Sequence, residues 1–282
     1  MRITDVVLRD GLQDEPVIVS TVDKVRIFDA LVDAGVREIE AVSFVSRHRV
    51  PQMADAESLL SALGRRPGTR ISGIALNLRG ALRARDCQLD ELRLVVSASE
   101  GHSAANAGRT TEKALDEIDE AVASLPGIDL VGAVSTAFVC PYDGVLSAAR
   151  LLWVVGRLFS AGLRRISLAD TLGTATPDHV RRSVDAVRSA YPDVELSLHL
   201  HNTAGQALDS VDAVAGLGIV GLDSSLGGLG GCPFAPGAAG NLDTATLVRH
   251  LDSRDIPTGI SLSALHDATT LLTSILSHSP AA

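Results

Sequence analysis

The sequence predicts a (β/α)8 barrel with an additional C-terminal helical segment. Short β-rich runs alternate with longer helix-periodic runs along almost the whole chain. The β-rich runs number eight, which matches the strand count of a closed α/β barrel. The first run leads into Arg9-Asp10-Gly11-Leu12-Gln13, which is not the glycine-rich phosphate turn of an open doubly wound sheet.

In chain order the β-rich runs span 3–8, 36–41, 70–76, 91–97, 129–135, 164–168, 194–199 and 220–224. Helix-periodic stretches lie between them, among them 21–34, 111–124, 148–161, 178–190 and 207–216. A last helical stretch at 262–276 follows Gly259, beyond the eight units. It is expected to cap the barrel or to join an oligomer interface. The whole chain, 1–282, reads as one domain, with the barrel over about 1–255 and the extension over about 256–282. A barrel of this kind needs about 250 residues.

Composition narrows the function classes. The chain is 46% hydrophobic and 21% charged, an ordinary globular balance. The net charge of −9 argues against nucleic acid as a partner. No uninterrupted apolar run of about 18 residues suggests a membrane span. The cysteines, Cys87, Cys140 and Cys232, are odd in number and irregularly spaced, unlike a secreted disulfide framework. The first strand starts almost at once, with no leader pattern before it, so a reducing cytoplasm is the expected compartment.

In such a barrel the working residues lie at the C-terminal ends of the strands. Strand one is expected to end in Arg9-Asp10. Strand two carries Glu38 and Glu40, and Ser43 follows it. Strand six leads to Asp170-Thr171, and strand seven ends in His199-Leu200-His201. Strand eight leads into the glycine-rich stretch 227–231, then Cys232, and later Asn241. Cys87 is expected on a helix and inert. Cys140 is expected in packing.

His199 and His201 carry the most chemistry. Residues two apart on a strand point the same way, so both imidazoles project to one side, close enough to share a metal ion. A lone strand histidine usually serves packing. Two on one face, before a polar turn, do not read that way. With Asp10 and Asn241 they make a mixed oxygen and nitrogen donor set of net charge −1, suited to Mg²⁺ or Mn²⁺. Zinc also fits such a set. Arg9-Asp10 alone could be a surface ion pair, and the glycine-rich stretch alone could be a flexible loop.

Several ordered motifs carry a family resemblance. They are Leu8-Arg9-Asp10-Gly11-Leu12-Gln13, Ile39-Glu40, Ser43-Phe44-Val45-Ser46, Val50-Pro51-Gln52-Met53, Asn77-Leu78-Arg79-Gly80 and Ser97-Ala98-Ser99-Glu100. Further on are Cys140-Pro141-Tyr142, Ile166-Ser167-Leu168-Ala169-Asp170-Thr171, the segment 199–208, the segment 228–234 and Gly240-Asn241-Leu242. From about Val7 to Leu251 the chain resembles the 3-hydroxy-3-methylglutaryl-coenzyme A lyase family, among the metal-dependent lyase and aldolase barrels. The Arg-Asp motif is shared with many relatives. Gly-Leu-Gly-Gly-Cys-Pro-Phe is far more specific to the lyases.

The resemblance implies roles for the matching residues. Asp10, His199, His201 and Asn241 would hold a divalent metal, Mg²⁺ or Mn²⁺. Arg9 would face the thioester oxygen and stabilise an enolate. Cys232 would transfer a proton, His199 would relay one, and Glu40 and Asp170 would support the site. Gln13, Ser43, Asn77, Gly230 and Gly231 would meet substrate. An acyl-coenzyme A substrate and a homodimer are implied too. The chemistry suits these residue types. A bound cation lowers the pKa of the substrate hydroxyl, and a guanidinium stabilises charge developing on the thioester oxygen.

The periphery departs from the family pattern. Asp14-Glu15-Pro16 stands where Asn-Glu-Lys is usual, Arg47-His48-Arg49 where Pro-Lys-Trp is usual, and Ala245 at a usual glutamate. The leading expectation is cleavage of 3-hydroxy-3-methylglutaryl-coenzyme A to acetyl-coenzyme A and acetoacetate. A related lyase or aldolase acting on another 3-hydroxy-acyl-coenzyme A or a 2-keto acid is the alternative. A barrel that binds metal without turnover is a third, and the presence of Arg9 and Cys232 argues against it.

Overall fold

The computed structural model of the chain describes residues 1–231 and 240–282. The strands are β1 (Arg2–Asp5), β2 (Glu38–Ser43), β3 (Arg70–Ala75), β4 (Glu91–Ser97), β5 (Asp129–Ser135), β6 (Val139–Cys140), β7 (Gly144–Val145), β8 (Arg165–Asp170), β9 (Glu195–Leu200) and β10 (Ile219–Ser224). Eight of them are parallel and close into a barrel in the order β1-β10-β9-β8-β5-β4-β3-β2. β6 and β7 form a small antiparallel hairpin outside it. Closure is made by β1, whose Arg2 pairs with Gly221 on one side and whose Thr4 pairs with Glu38 on the other.

The helices are α1 (Thr21–Asp33), α2 (Ala56–Leu63), α3 (Leu78–Arg85), α4 (Glu100–Ala107), α5 (Thr111–Ser124), α6 (Ala148–Ser160), α7 (Pro177–Ala190), α8 (Ala207–Ala213), α9 (Thr244–Asp252) and α10 (Leu262–His278). Polar caps fix where many of them begin. Ser20, Asn77 and Thr176 each accept the backbone N–H three residues on, satisfying a donor that has no partner within the helix. Apolar faces such as Phe28 and Leu31 of α1 or Val180, Val184 and Val187 of α7 are fully buried against the barrel. Helix α10 is the expected extra element. It packs against α1 and α9, where the helical ring closes. Beyond it, Val17 bridges Ala281, tying the C-terminal end to the segment that follows the Arg-Asp motif.

Two sequence expectations need correction. The first strand ends at Asp5, not at residue 8, and Val7–Gly11 is a single π-helical turn. Val6, Val7 and Leu8 are fully buried, so their apolar run reflects burial and not strand. Cys87 lies just beyond α3, where its thiol faces the Arg83 carbonyl at 3.5 Å. Cys140 is buried against Ser99 Oγ at 2.8 Å, as a packing residue would be. No helix among the described residues is long and apolar enough to cross a membrane.

Candidate functional site

The π-helical turn after β1 presents Arg9 and Asp10. The N–H groups of Arg9, Asp10 and Gly11 all converge on the Val6 carbonyl, at 3.1, 2.8 and 3.2 Å. Asp5 Oδ1 accepts the Val7 N–H at 2.9 Å and anchors the start of the turn. This curl brings both side chains to the C-terminal mouth of the barrel, beside the end of β9.

There His199 and His201 share a face, as the period of two requires. Their rings lie 5.1 Å apart between centroids, and their Nε2 atoms are 3.1 Å apart. Asp10 Oδ2 lies 3.4 Å from His201 Nε2 and 3.8 Å from His199 Nε2. Cis ligands of an octahedral Mg²⁺, each about 2.1 Å from the ion, are about 3.0 Å apart. The three donor atoms, 3.1 to 3.8 Å apart, are close enough together to share one cation. The outer side of His199 fits too, because its Nδ1 faces Asp223 Oδ2 at 3.3 Å, leaving Nε2 for the cluster. Asn241 stands opposite His201 in an isolated bridge. Its Nδ2 donates to Asp10 Oδ2 at 2.7 Å and to the Leu229 carbonyl at 3.0 Å.

Charge is concentrated here. Arg9 donates through Nε to Glu40 Oε1 at 2.5 Å and through Nη1 to Asp10 Oδ1. Burial alone would raise the Asp10 carboxyl. Arg9, a hydrogen bond from His201 and the two imidazoles outweigh it and hold the carboxyl well below the usual range. Burial would lower His199, but Asp223 and Asp10 outweigh it and raise the imidazole. Asp170 is raised by burial, against a hydrogen bond from the Ala175 N–H at 3.0 Å. Asp170 Oδ1 and His201 Nδ1 are buried without a hydrogen-bond partner.

A cavity of about 650 Å³ opens over this cluster. Arg9, Asp10, Gln13, Glu40, Asn77, His199, His201 and Gly231 line it, together with Thr171, His102, Asn106 and Arg109. Asn77 also caps α3 through Oδ1, which accepts the Gly80 N–H at 2.8 Å. Ser43 is fully buried within β2 and is not part of the cavity wall. Gly230 sits against Asn241 and the Asp10 backbone rather than in the wall. Cys232 lies outside the described residues. Sequence reasoning missed Arg93 and Asp223, whose only signal was a charge inside a β-rich run.

Comparisons with known proteins place the chain in a family. The model of the HMGL-like family matches residues 1–272. The mitochondrial hydroxymethylglutaryl-CoA lyase of Bos taurus is 38% identical over 270 residues, covering 95% of this chain and 83% of its own length. The cytoplasmic 3-hydroxy-3-methylglutaryl-CoA lyase of Homo sapiens is 36% identical over 95% of this chain and 73% of its own. An HMG-CoA lyase structure from Brucella melitensis superposes with a TM-score of 0.93 at 38% identity, covering 98% of both chains. One from Acinetobacter baumannii, in complex with coenzyme A and 3-methylmalate, gives 0.93 at 39% identity over 99% of this chain and 92% of its own. The chain belongs to the HMGL-like family and is a carbon–carbon lyase.

Proposed function

We propose that this protein cleaves 3-hydroxy-3-methylglutaryl-coenzyme A to acetyl-coenzyme A and acetoacetate, with Mg²⁺ or Mn²⁺ as cofactor. The observation that carries the reading is the convergence of Asp10, His199 and His201, with ligand atoms within 4.8 Å of one another, beside Arg9 in one cavity. The names shared by the relatives support the substrate. Asp10, His199, His201 and Asn241 would hold the cation, Asn241 through its amide oxygen. When bound there, the cation would supply Lewis acidity beside the substrate hydroxyl. Arg9 meets the negative charge that develops on the departing thioester. With Nδ1 directed at Asp223, His199 would relay the hydroxyl proton only where its Nε2 is not holding the cation, and Cys232 would deliver a proton to the enolate carbon. Glu40 holds Arg9 in place, and Asp170, whose backbone carbonyl accepts the His201 N–H at 3.3 Å, supports His201. Gln13, Asn77 and Gly231 border the acyl group.

Purified protein supplied with Mg²⁺ or Mn²⁺ should release acetyl-coenzyme A and acetoacetate from this thioester. Release of neither product rejects the reading. A related 3-hydroxy-acyl-coenzyme A or a 2-keto acid is the second reading, favoured by Asp14, Arg49 and Arg109 in the cavity wall. A panel of such substrates, ranked by kcat/KM, separates the two.

A further inference from the structure

A second arginine, Arg93, lies inside the barrel and borders the same cavity as the proposed cation site. Arg93, on β4, is only 6% exposed. Its partners come from three other strands and from its own. Nη1 donates to Asp223 Oδ2 on β10 at 2.6 Å, Nη2 donates to Thr4 Oγ1 on β1 at 3.3 Å, and Nε donates to Glu91 Oε1 at 3.2 Å. Nε also lies 3.3 Å from Glu40 Oε2 on β2. Each shared carboxylate also faces a site residue, Asp223 through the same oxygen that accepts from Arg93. Glu40 turns its other oxygen, Oε1, to Arg9, and Asp223 turns Oδ2 to His199 Nδ1.

We propose that Arg93 is a positioning residue for both halves of the site, clamping Glu40 against Arg9 and Asp223 against His199. Without this cation Asp223 keeps only the His199 imidazole, and Glu40 keeps only Arg9, so each buried carboxylate is freed to turn from its present position. Such a turn shifts the group it holds: Arg9 loses a fixed anchor, and His199 loses the fixed partner that keeps Nε2 directed at the cluster. The planar fork matters as well as the charge, because Nη1 donates to Asp223 and Nε to Glu91 while the guanidinium lies beside Glu40 Oε2, a buried oxygen with no hydrogen-bond partner.

The inference rests on the proposed cation site for its Mn²⁺ readout and on the proposed substrate for its activity readout. The test compares Arg93→Met, Arg93→Lys and Arg165→Met. Arg165 pairs with Glu91 at 2.7 Å but touches neither Glu40 nor Asp223, so it controls for loss of a buried ion pair alone. Two quantities are read: Mn²⁺ affinity by paramagnetic resonance, and the kcat and KM of acyl-coenzyme A cleavage. Arg93→Met should weaken Mn²⁺ about 10- to 100-fold, the range for loss of an outer-shell partner. It should lower kcat by a similar factor and leave KM within about threefold. Arg93→Lys should fall between Arg93→Met and the parent, and Arg165→Met should match the parent in both. Folded Arg93→Met with parental Mn²⁺ affinity and kcat overturns the proposal. If Arg93→Met does not fold, Arg93→Lys decides: parental values overturn it, and weakened Mn²⁺ with unchanged KM supports it. If the parent itself turns over no thioester, the substrate reading fails while the Mn²⁺ arm still tests Arg93.

Discussion

Asn241 is registered against His201 by the backbone. The two pair in an antiparallel bridge, flanked by Asn202 N–H to Gly240 O at 3.0 Å and Leu242 N–H to Leu200 O at 3.1 Å. Two proposed cation ligands, 40 positions apart in sequence, are thus held by one short piece of ladder at the end of β9.

Gly230 packs against both Asn241 and Asp10. Its φ of +101° is costly for a residue with a side chain, and an added Cβ would lie 2.5 Å from Asn241 Nδ2 and 2.8 Å from the Asp10 carbonyl oxygen. Backbone cannot yield as a flexible side-chain tip would. Gly230→Ala should therefore displace Asp10 from Asn241 and weaken Mn²⁺ binding at least tenfold, with the far-ultraviolet dichroism unchanged. Parental affinity by calorimetric titration would show that the contact is not transmitted.

Arg9→Met should separate cation binding from turnover. Arg9 is not one of the proposed ligands, yet it supplies the countercharge for the enolate. The variant should bind Mn²⁺ and lose about 10²- to 10³-fold in kcat, the range for removal of one stabilising donor. Glu40 stays paired with Arg93, so the fold should hold. Near-normal kcat would remove Arg9 from the mechanism.

Cys232→Ser tests the proposed proton transfer. Loss of a positioned acid or base costs typically 10²- to 10⁴-fold, and serine is a far weaker acid than cysteine. Turnover should fall into that range with Mn²⁺ affinity unchanged. Parental turnover would assign the proton to another group.

The histidine pair was legible because strand side chains repeat every two residues, so 199 and 201 had to share a face. The barrel was legible from the alternation of runs, and closure then placed the ends of β1 and β9 on one rim. The turn at Val7–Gly11 was not legible. Val6-Val7-Leu8 is apolar in either conformation, and nothing local distinguishes a buried strand end from a buried curl. Arg93 and Asp223 were hidden for another reason. Their partnership spans 130 positions, and a charge within a β-rich run gives no sign of whether it faces solvent or the barrel interior.

Asp5 should make stability fall as pH rises. It is fully buried, and burial raises its carboxyl from 3.8 to about 6, against hydrogen bonds from Thr244 Oγ1 at 2.7 Å and the Val7 N–H. A folded pKa above the unfolded value means that the folded state binds the extra proton. Asp5 therefore favours folding most below about pH 4, and that advantage disappears as pH climbs to about 6. The shift corresponds to about 3 kcal/mol. The carboxamide of an Asp5→Asn variant does not titrate, keeps an acceptor for the Val7 N–H and offers an amide donor to Thr244. The variant should gain Tm relative to the parent at pH 7.5 by several degrees more than at pH 4, in scanning calorimetry at matched ionic strength. An equal difference at both pH values would mean that the Asp5 carboxyl does not titrate in this window.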